Sequence, residues 1–338
     1  MSDHVWNTFL ALLRAGLWEQ DLRLPETPDA KEWEQLLSLG RGQAVMGLLL
    51  RGIGHLPEEQ QPSGALAPVI RTWGGAFSRA NARYARVQQA LLARLAAAGL
   101  HPVVQKGSEA AKYYADPSVR QVGDIDLFLP EGEFQRARAL FPDARMASDG
   151  AAVFARNGVT VELHPRCYDI HLSPAKLPPV SSPCGEILLL CSHIFKHAMG
   201  PGLGCKQLCD LAVALARLDG KYDREELRAA LRRAGLLRWH TLLCSLLVVD
   251  LGLDPACCLP GFRAVDPARL RRIVRESGNF GRTDEKYRES RRKGTLGKKA
   301  ATAGVFLRRL PFSLHYGFRE TLAYIGELSL GNLFTRGR

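Results

Sequence analysis

The sequence predicts an α+β fold in which a small mixed β-sheet is flanked by helical bundles. Apolar residues recur at helical spacing through the first hundred residues and again after residue 184. Short β-type runs, in contrast, are confined to residues 100–165. Because 46% of the 338 residues are hydrophobic, the chain can bury a substantial core.

The amino-terminal region, residues 1–99, is predicted to be helical. Leu, Trp, Val and Ile recur at helical spacing over residues 3–20 and 30–53. Residues 64–99 are rich in Ala, Leu and Arg and predict one long helix that ends at Gly99. These segments together indicate a helical bundle.

Residues 100–183 are predicted to form an α/β core. Strands are expected at 102–105, 125–129, 152–156 and 159–163, with helices at 109–115 and 131–140. Asn157 and Gly158 separate the last two strands and favour a two-residue hairpin turn. The Pro-rich stretch 173–183 is the best candidate for a linker.

Two further helical regions are predicted, at 184–277 and 278–338. Helices are expected in them at about 185–198, 205–218, 223–234, 236–251, 266–277, 301–310 and 313–329. Residues 278–300 lack periodicity and are rich in Gly, Lys, Arg and Ser. This stretch is therefore predicted to be a mobile basic loop.

Charge is concentrated near the carboxy terminus. The chain carries a formal net charge of +12, and residues 261–338 hold 18 Lys+Arg against 7 Asp+Glu. Such a surface attracts nucleic acid, anionic lipid or nucleotide phosphates, and charge alone does not choose between them. The basic residues within 288–309 are a candidate contact for nucleic acid or an anionic surface, with a solvated loop as the favoured alternative.

The sequence offers no signal for a membrane or secreted location. It contains no run of eighteen apolar residues, and its first residues lack the basic flank of a secretory signal. We therefore expect a cytoplasmic protein whose eight cysteines are reduced.

Three acidic residues are candidates for a metal site. Asp124 and Asp126 flank Ile125 at the start of a predicted strand, so both side chains point to one face. Their mutual repulsion is unfavourable unless a cation such as Mg²⁺ lies between them. Glu162 lies in another predicted strand and joins that face if the two strands are neighbours. Taken alone, Asp-x-Asp is equally typical of a solvated strand end.

A turn upstream of these acids is a candidate phosphate site. Gly107 and Ser108 follow a predicted strand and open a helix, a geometry in which backbone N–H groups and a hydroxyl can hold a triphosphate. The alternative is an ordinary turn in which Ser108 only caps the helix.

Three motifs carry a resemblance to a known family: Val104-Gln-Lys-Gly-Ser108, Arg120-x3-Asp124-Ile-Asp-Leu127 and Val161-Glu-Leu-His164. They resemble the strand, Gly-Ser turn and acidic triad of the DNA polymerase β-like nucleotidyltransferase superfamily. More closely, they resemble a bacterial group of uncharacterised nucleotidyltransferases. The resemblance covers residues 100–165 and extends loosely to about 220. It implies that Asp124, Asp126 and Glu162 are catalytic and bind Mg²⁺ or Mn²⁺, and that Gly107 and Ser108 contact phosphate.

Three further residues are candidates for binding the nucleotide. Lys106 and Arg120 are the natural cations for phosphate, although either could simply form a salt bridge with the acidic residues. His164 lies two residues beyond Glu162 on the same strand face. It is a candidate to orient a metal-bound water or a phosphate, and a structural role is equally consistent with its position.

A histidine pair lies in the next helical region. His193 and His197 are four residues apart, so both rings share one helix face. Together with Cys205 and Cys209 they could form a tetrahedral zinc site. Related nucleotidyltransferases carry a His and a downstream Asp in these helices. That resemblance favours His193, His197 and Asp210 in the substrate cleft, with a substrate-binding or acid/base role.

The expected activity is transfer of a nucleoside monophosphate from an NTP, such as ATP, to an acceptor hydroxyl with release of pyrophosphate, an EC 2.7.7-type reaction. The acceptor could be a small molecule, a peptide or protein side chain, or an RNA end. Two alternatives stay open: a metal-dependent glycosyltransferase that uses a nucleotide sugar, and a nucleotide- or RNA-binding module without catalytic activity.

Overall fold

The computed structural model describes residues 2–64, 66–147, 150–171, 176–200, 202–285, 289 and 294–335. The chain forms two compact units, Met1–Cys167 and Tyr168–Arg338. The predicted region 1–99 and the strands of the predicted region 100–183 therefore belong to the same unit.

Four helices open the first unit: α1 (Asp3–Trp18), α2 (Ala30–Gly42), α3 (Met46–Gly54) and α4 (Leu66–Ala97). Asp29 and Glu32 form a reciprocal capping box at the start of α2, which satisfies two otherwise unpaired backbone N–H groups. The apolar pattern over 30–53 forms two helices because Ala44 adopts a left-handed backbone conformation, with φ of 57°. The long helix predicted over 64–99 is confirmed as α4.

Helices α1 and α3 pack with their backbones in close contact. A Cβ atom added to Gly52 would lie 1.9 Å from the carbonyl oxygen of Leu12, and one added to Gly16 would lie 2.3 Å from that of Leu48. Both distances are far shorter than van der Waals contact. The two glycines are therefore required by this approach of one helix to the other.

The first unit also contains a five-stranded mixed sheet. Its strands are β1 (Val103–Gln105), β2 (Ile125–Phe128), β3 (Arg145–Met146), β4 (Ala152–Arg156) and β5 (Val159–His164), in the order β1-β2-β5-β4-β3. Strands β2 and β5 pair in parallel, and the other neighbours pair antiparallel. The hairpin predicted at Asn157 and Gly158 is confirmed, whereas the short edge strand β3 was not predicted.

One face of this sheet is buried against α4 and α6 (Glu131–Ala139), the helix that follows the short α5 (Gly107–Ala111). The core takes Val159, Val161 and Leu163 from β5, and Ile125 and Leu127 from β2. Residues alternate between the two faces of a strand. The intervening polar residues of β2 and β5 therefore lie on the opposite face of the sheet.

The second unit is helical in its described residues. Its helices are α7 (Pro183–Met199), α8 (Cys205–Leu218), α9 (Arg224–Arg233), α10 (Leu237–Leu251), α11 (Ala268–Ser277) and α12 (Gly294–Thr335). The first five confirm the helices predicted between 185 and 277. No helix within the described residues is both long and apolar enough to span a membrane.

The carboxy-terminal region differs from its prediction. Residues 294–300 are helical and do not form part of a mobile loop, and the two helices predicted at 301–310 and 313–329 lie within α12. The backbone of α12 is not helical at Gly317, where φ is −146° and ψ is 54°. The ring centroids of Phe306 and Tyr324 are 5.3 Å apart, whereas eighteen residues of straight helix would span about 27 Å. The helix therefore reverses direction at Gly317, beyond Pro311.

Part of the basic segment 288–309 lies outside the described residues. Arg288, Arg291, Arg292 and Lys293 lie outside the described residues, and only the helical backbone is described for Lys298 and Lys299. The predicted contact of this segment with nucleic acid or an anionic surface therefore stays a prediction.

Substitution of Gly52 tests the close approach of α1 and α3. The change Gly52→Ala should reduce the free energy of unfolding by about 1–3 kcal/mol, because the added methyl group forces the two backbones apart. Gly54→Ala is the matched control in the same helix, since its Cβ would meet nothing within 4 Å. Its effect should stay within about 1 kcal/mol of zero. Urea unfolding of both variants measures the difference, and equal stabilities would contradict this packing.

Candidate functional site

The pairing of three strands gathers polar side chains on the face of the sheet opposite the apolar core. Asp126 of β2 is the direct register partner of Glu162 on the parallel strand β5 and of Gln105 on the antiparallel strand β1. His164 lies two residues beyond Glu162 and shares its face. Strands β2 and β5 are therefore neighbours, which is the condition under which Glu162 was predicted to share a face with Asp126.

Three of these side chains lie close enough to share one cation. Nε2 of His164 is 2.9 Å from Oδ1 of Asp126 and 3.5 Å from Oε2 of Glu162. Within the described residues, these three form the only group of three or more His, Cys, Asp or Glu side chains whose ligand atoms all lie within 4.8 Å of one another. Two carboxylates and an imidazole are suitable donors for a divalent metal ion.

Asp124 is placed differently from the other two acids. It precedes the first residue of β2, and its carboxylate is not part of the 4.8 Å group. Its carbonyl oxygen accepts a hydrogen bond of 3.1 Å from the hydroxyl of Tyr84 on α4. Its negative charge nevertheless acts on the site, because it contributes to raising the pKa of Glu162.

The electrostatics of the site disfavour the ionised form of Glu162. Burial, followed by the charges of Asp126 and Asp124, raises the pKa of Glu162 from its ordinary value of 4.5 to about 7. Lys106 opposes this effect, with Nζ 3.5 Å from Oδ1 of Asp126. A bound divalent ion would offset the same repulsion more fully, so the residues present fit a cation.

The turn that carries Lys106, Gly107 and Ser108 has an unusual backbone. Lys106 has φ of 52° and ψ of −125°, outside the regions that residues with a side chain commonly adopt, and Gly107 has φ of 22°. A Cβ on Gly107 would lie 2.6 Å from the hydroxyl of Tyr84. Strained conformations of this kind persist where the surroundings enforce them, often at functional sites. The Ser108 hydroxyl donates a hydrogen bond of 2.8 Å to Oε1 of Gln88.

Arg120 lies in the interior of the first unit. Arg120 is 4% exposed, and its guanidinium donates a hydrogen bond of 3.4 Å to the carbonyl of Gln121. Asn81 of α4 donates hydrogen bonds to the carbonyls of Ser118 and Arg120. The role of Arg120 in binding phosphate stays a prediction.

The histidine pair of the second unit forms a hydrogen-bonded chain. Nδ1 of His193 is 2.8 Å from a carboxylate oxygen of Asp169, and Nε2 of His193 is 3.0 Å from Nε2 of His197. Nζ of Lys196 donates to the other oxygen of Asp169 at 2.9 Å. The ring of Phe280 meets the edge of His197, with centroids 4.8 Å apart. Asp169 therefore fixes the orientation of the pair.

The alternative of a zinc site in this unit is not supported. In the described part of the chain, no three of His193, His197, Cys205 and Cys209 bring their ligand atoms within 4.8 Å of one another. Cys205 and Cys209 are wholly buried, and burial raises the pKa of each thiol, which favours the uncharged form. The cysteines act as small core residues. The predicted substrate-binding role of His193, His197 and the buried Asp210 stays a prediction.

The sequence patterns missed several side chains of these two clusters. Tyr84 occupies a helical core spacing in α4, so its hydroxyl contact with the carbonyl of Asp124 carried no signal. Gln105 follows two valines and donates a hydrogen bond of 2.6 Å to the carbonyl of Cys167. Asp169 lies in an irregular segment and Phe280 in a three-residue 3-10 helix, and both are too short for periodicity to apply. A search for polar residues at strand ends would have found Gln105.

One of three comparisons with known proteins gives a match. A family model described as an uncharacterised nucleotidyltransferase matches residues 29–250. No curated protein and no solved structure matches the chain. The matched segment begins at Asp29, the N-cap of α2, and extends through nearly all of α10, so it reaches well beyond the motifs at 100–165.

The raised pKa of Glu162 predicts a pH-dependent stability of the metal-free protein. The folded protein binds a proton on the Glu162 carboxyl more tightly than the unfolded chain does, so protonation of this group stabilises the fold. That stabilisation is fully present below pH 4.5 and is lost as pH rises to about 7. In EDTA at pH 8, Glu162→Gln should therefore be more stable than the wild type, by at most about 3 kcal/mol. The difference should shrink towards pH 4.5.

Urea unfolding at pH 4.5 and pH 8 measures this effect. Glu34→Gln, a change at an exposed position of α2, is the control and should show no such pH dependence. The same stability difference at both pH values would contradict the electrostatic description of the site.

Proposed function

Because the chain belongs to the family of uncharacterised nucleotidyltransferases, we propose that it is a metal-dependent enzyme that transfers a nucleoside monophosphate from an NTP to an acceptor hydroxyl and releases pyrophosphate. The observation that carries the metal-dependent part is the convergence of Asp126, Glu162 and His164 on one face of the sheet. Lys106 adds a positive charge at the same place.

The carboxylates are the groups that would hold the ion. Asp126 and Glu162 face each other across the parallel pair of strands and supply oxygen ligands, which Mg²⁺ and Mn²⁺ accept. Asp124 adds a third negative charge beside them. When bound, the divalent ion would polarise the phosphoryl group and offset the charge that develops on pyrophosphate.

Other groups of the first unit are suited to the phosphates. The ammonium group of Lys106 is 3.5 Å from Asp126 and can pair with a phosphate oxygen as a point charge. The backbone of the strained turn at Lys106 and Gly107 lies beside this ammonium group, and the Tyr84 hydroxyl packs against Gly107. We assign phosphate contacts to Lys106, Gly107 and Ser108 on this basis.

The acceptor is an open part of the proposal. A small metabolite, a peptide or protein side chain and an RNA end each offer a hydroxyl that could attack the α-phosphorus. Pairs of carboxylates with a metal also serve glycosyl transfer from nucleotide sugars. The family match favours nucleotidyl transfer over that alternative.

The change Asp126→Asn tests the proposed function. With labelled NTPs and either Mg²⁺ or Mn²⁺, the wild type should release pyrophosphate and place the labelled monophosphate on an acceptor from a panel of sugars, peptides and RNA. Asp126→Asn should lower this rate by on the order of 100-fold or more, because it removes a charged ligand from the centre of the site. Asp143→Asn, a change at an exposed carboxylate of the same unit, should retain activity.

Thermal unfolding of the same proteins separates the remaining outcomes. A metal-dependent NTP shift in the wild type that is lost in Asp126→Asn supports the site, because a ligand that binds the native state raises its stability. Consumption of a nucleotide sugar without pyrophosphate would replace the proposal with glycosyl transfer. Nucleotide binding without any product from the full acceptor panel would replace it with a binding module.

A further inference from the structure

We infer that His164 is a nitrogen ligand of the metal ion and that it makes this site prefer a borderline divalent ion, represented by Mn²⁺, over Mg²⁺. The inference rests on the proposed function for the presence of the ion. It goes beyond that function because it assigns to one imidazole the choice of metal.

The fold directs the His164 ring to the carboxylates. Strand β5 alternates buried apolar residues with partly exposed polar ones, and its buried set is Val159, Val161 and Leu163. Glu162 and His164 therefore share the face opposite the apolar core, and Asp126 lies across the parallel pair from Glu162. The side chain of His164 is only 14% exposed. Its orientation is thus set by the strand and not by a flexible loop.

The distances fit direct coordination. Two ligand atoms at right angles around an ion, each about 2.1 Å from it, lie about 3.0 Å apart. Nε2 of His164 is 2.9 Å from Oδ1 of Asp126 and 3.5 Å from Oε2 of Glu162. Small side-chain adjustments would place all three atoms around one ion. Nε2 would then supply its lone pair to the metal, with the ring hydrogen on Nδ1.

The donor type decides the preference between ions. Mg²⁺ favours oxygen ligands and gives up its hydration water reluctantly, whereas imidazole nitrogen suits the first-row transition ions. A site of two carboxylates alone would bind Mg²⁺ and Mn²⁺ through the same oxygens. Adding the nitrogen of His164 therefore favours Mn²⁺.

The alternative is that His164 only orients a ligand. In that case the ring would keep its hydrogen bond to Asp126 when the ion binds, and no metal–nitrogen bond would form. Both arrangements lower metal affinity when the histidine is replaced, so affinity alone does not distinguish them. A measurement that detects nitrogen bonded to the metal does.

Pulsed electron paramagnetic resonance of the Mn²⁺-loaded protein provides this measurement. We expect ¹⁴N modulation of the Mn²⁺ signal in the wild type, and its replacement by a ¹⁵N pattern when the protein contains ¹⁵N-labelled histidine. His164→Gln, which offers an oxygen in place of the nitrogen, should lose the modulation. His101→Gln, at an exposed histidine of the same unit, is the matched control and should retain it.

Titration with each metal tests the preference. The wild type should bind Mn²⁺ at least tenfold more tightly than Mg²⁺, and His164→Gln should reduce that ratio by about tenfold. His164→Asp, which makes the site all-oxygen, should shift the ratio in the same direction. If His164→Gln does not fold, both the loss of nitrogen modulation and the change in the Mn²⁺-to-Mg²⁺ affinity ratio are measured on His164→Asp.

The outcomes separate this inference from the proposed function. Bound Mn²⁺ without nitrogen modulation, or modulation that persists in His164→Gln, would overturn the role of His164 and leave metal-dependent transfer in place. An imidazole-bound Mn²⁺ in a protein that releases no pyrophosphate from any NTP would overturn only the transfer reaction. Failure of the wild type to bind either metal would overturn both.

Discussion

The candidate site depends on the parallel pairing of β2 and β5. This pairing places Asp126 opposite Glu162, and the apolar residues on either side of each acid hold the register because they face the core. A shift of one residue in either strand would turn its acid towards the core and expose buried apolar side chains. The hydrophobic effect that stabilises the sheet therefore also holds two carboxylates beside each other at an electrostatic cost.

That cost explains the groups that surround the acids. Lys106 and the His164 ring both approach the same oxygen of Asp126, and the pKa of Glu162 is raised to about 7. Lys106, which follows the last residue of β1 and has a φ of 52°, reaches Asp126 from this turn. Burial raises the pKa of the adjacent Tyr84 to about 12, so its hydroxyl remains an uncharged donor to the carbonyl of Asp124. These contacts link the helix α4 to the site.

Local patterns in the sequence predicted the elements whose structure is decided locally. The hairpin at Asn157 and Gly158 and the helices between 185 and 277 follow from turn chemistry and periodicity, and both are present. Strand alternation also predicted that Glu162 and His164 share a face. The reversal at Gly317 was not predicted because Pro311 is the stronger local breaker, yet a Cβ at 317 would lie 2.3 Å from the Phe195 ring. That constraint comes from packing between elements distant in sequence, as does the pairing of Asp169 with His193.

The segment that matches the family model and the region that carries most of the net charge are different parts of this chain. The match ends at residue 250, whereas residues 261–338 supply +11 of the formal charge of +12. The carboxylates, the Lys106 turn and the histidine pair all lie within the matched segment. The residues proposed for nucleotide transfer therefore lie in a segment that carries little of the net charge. The predicted attraction of an anionic partner, in contrast, rests on basic residues beyond residue 250, so the two proposals depend on different parts of the chain.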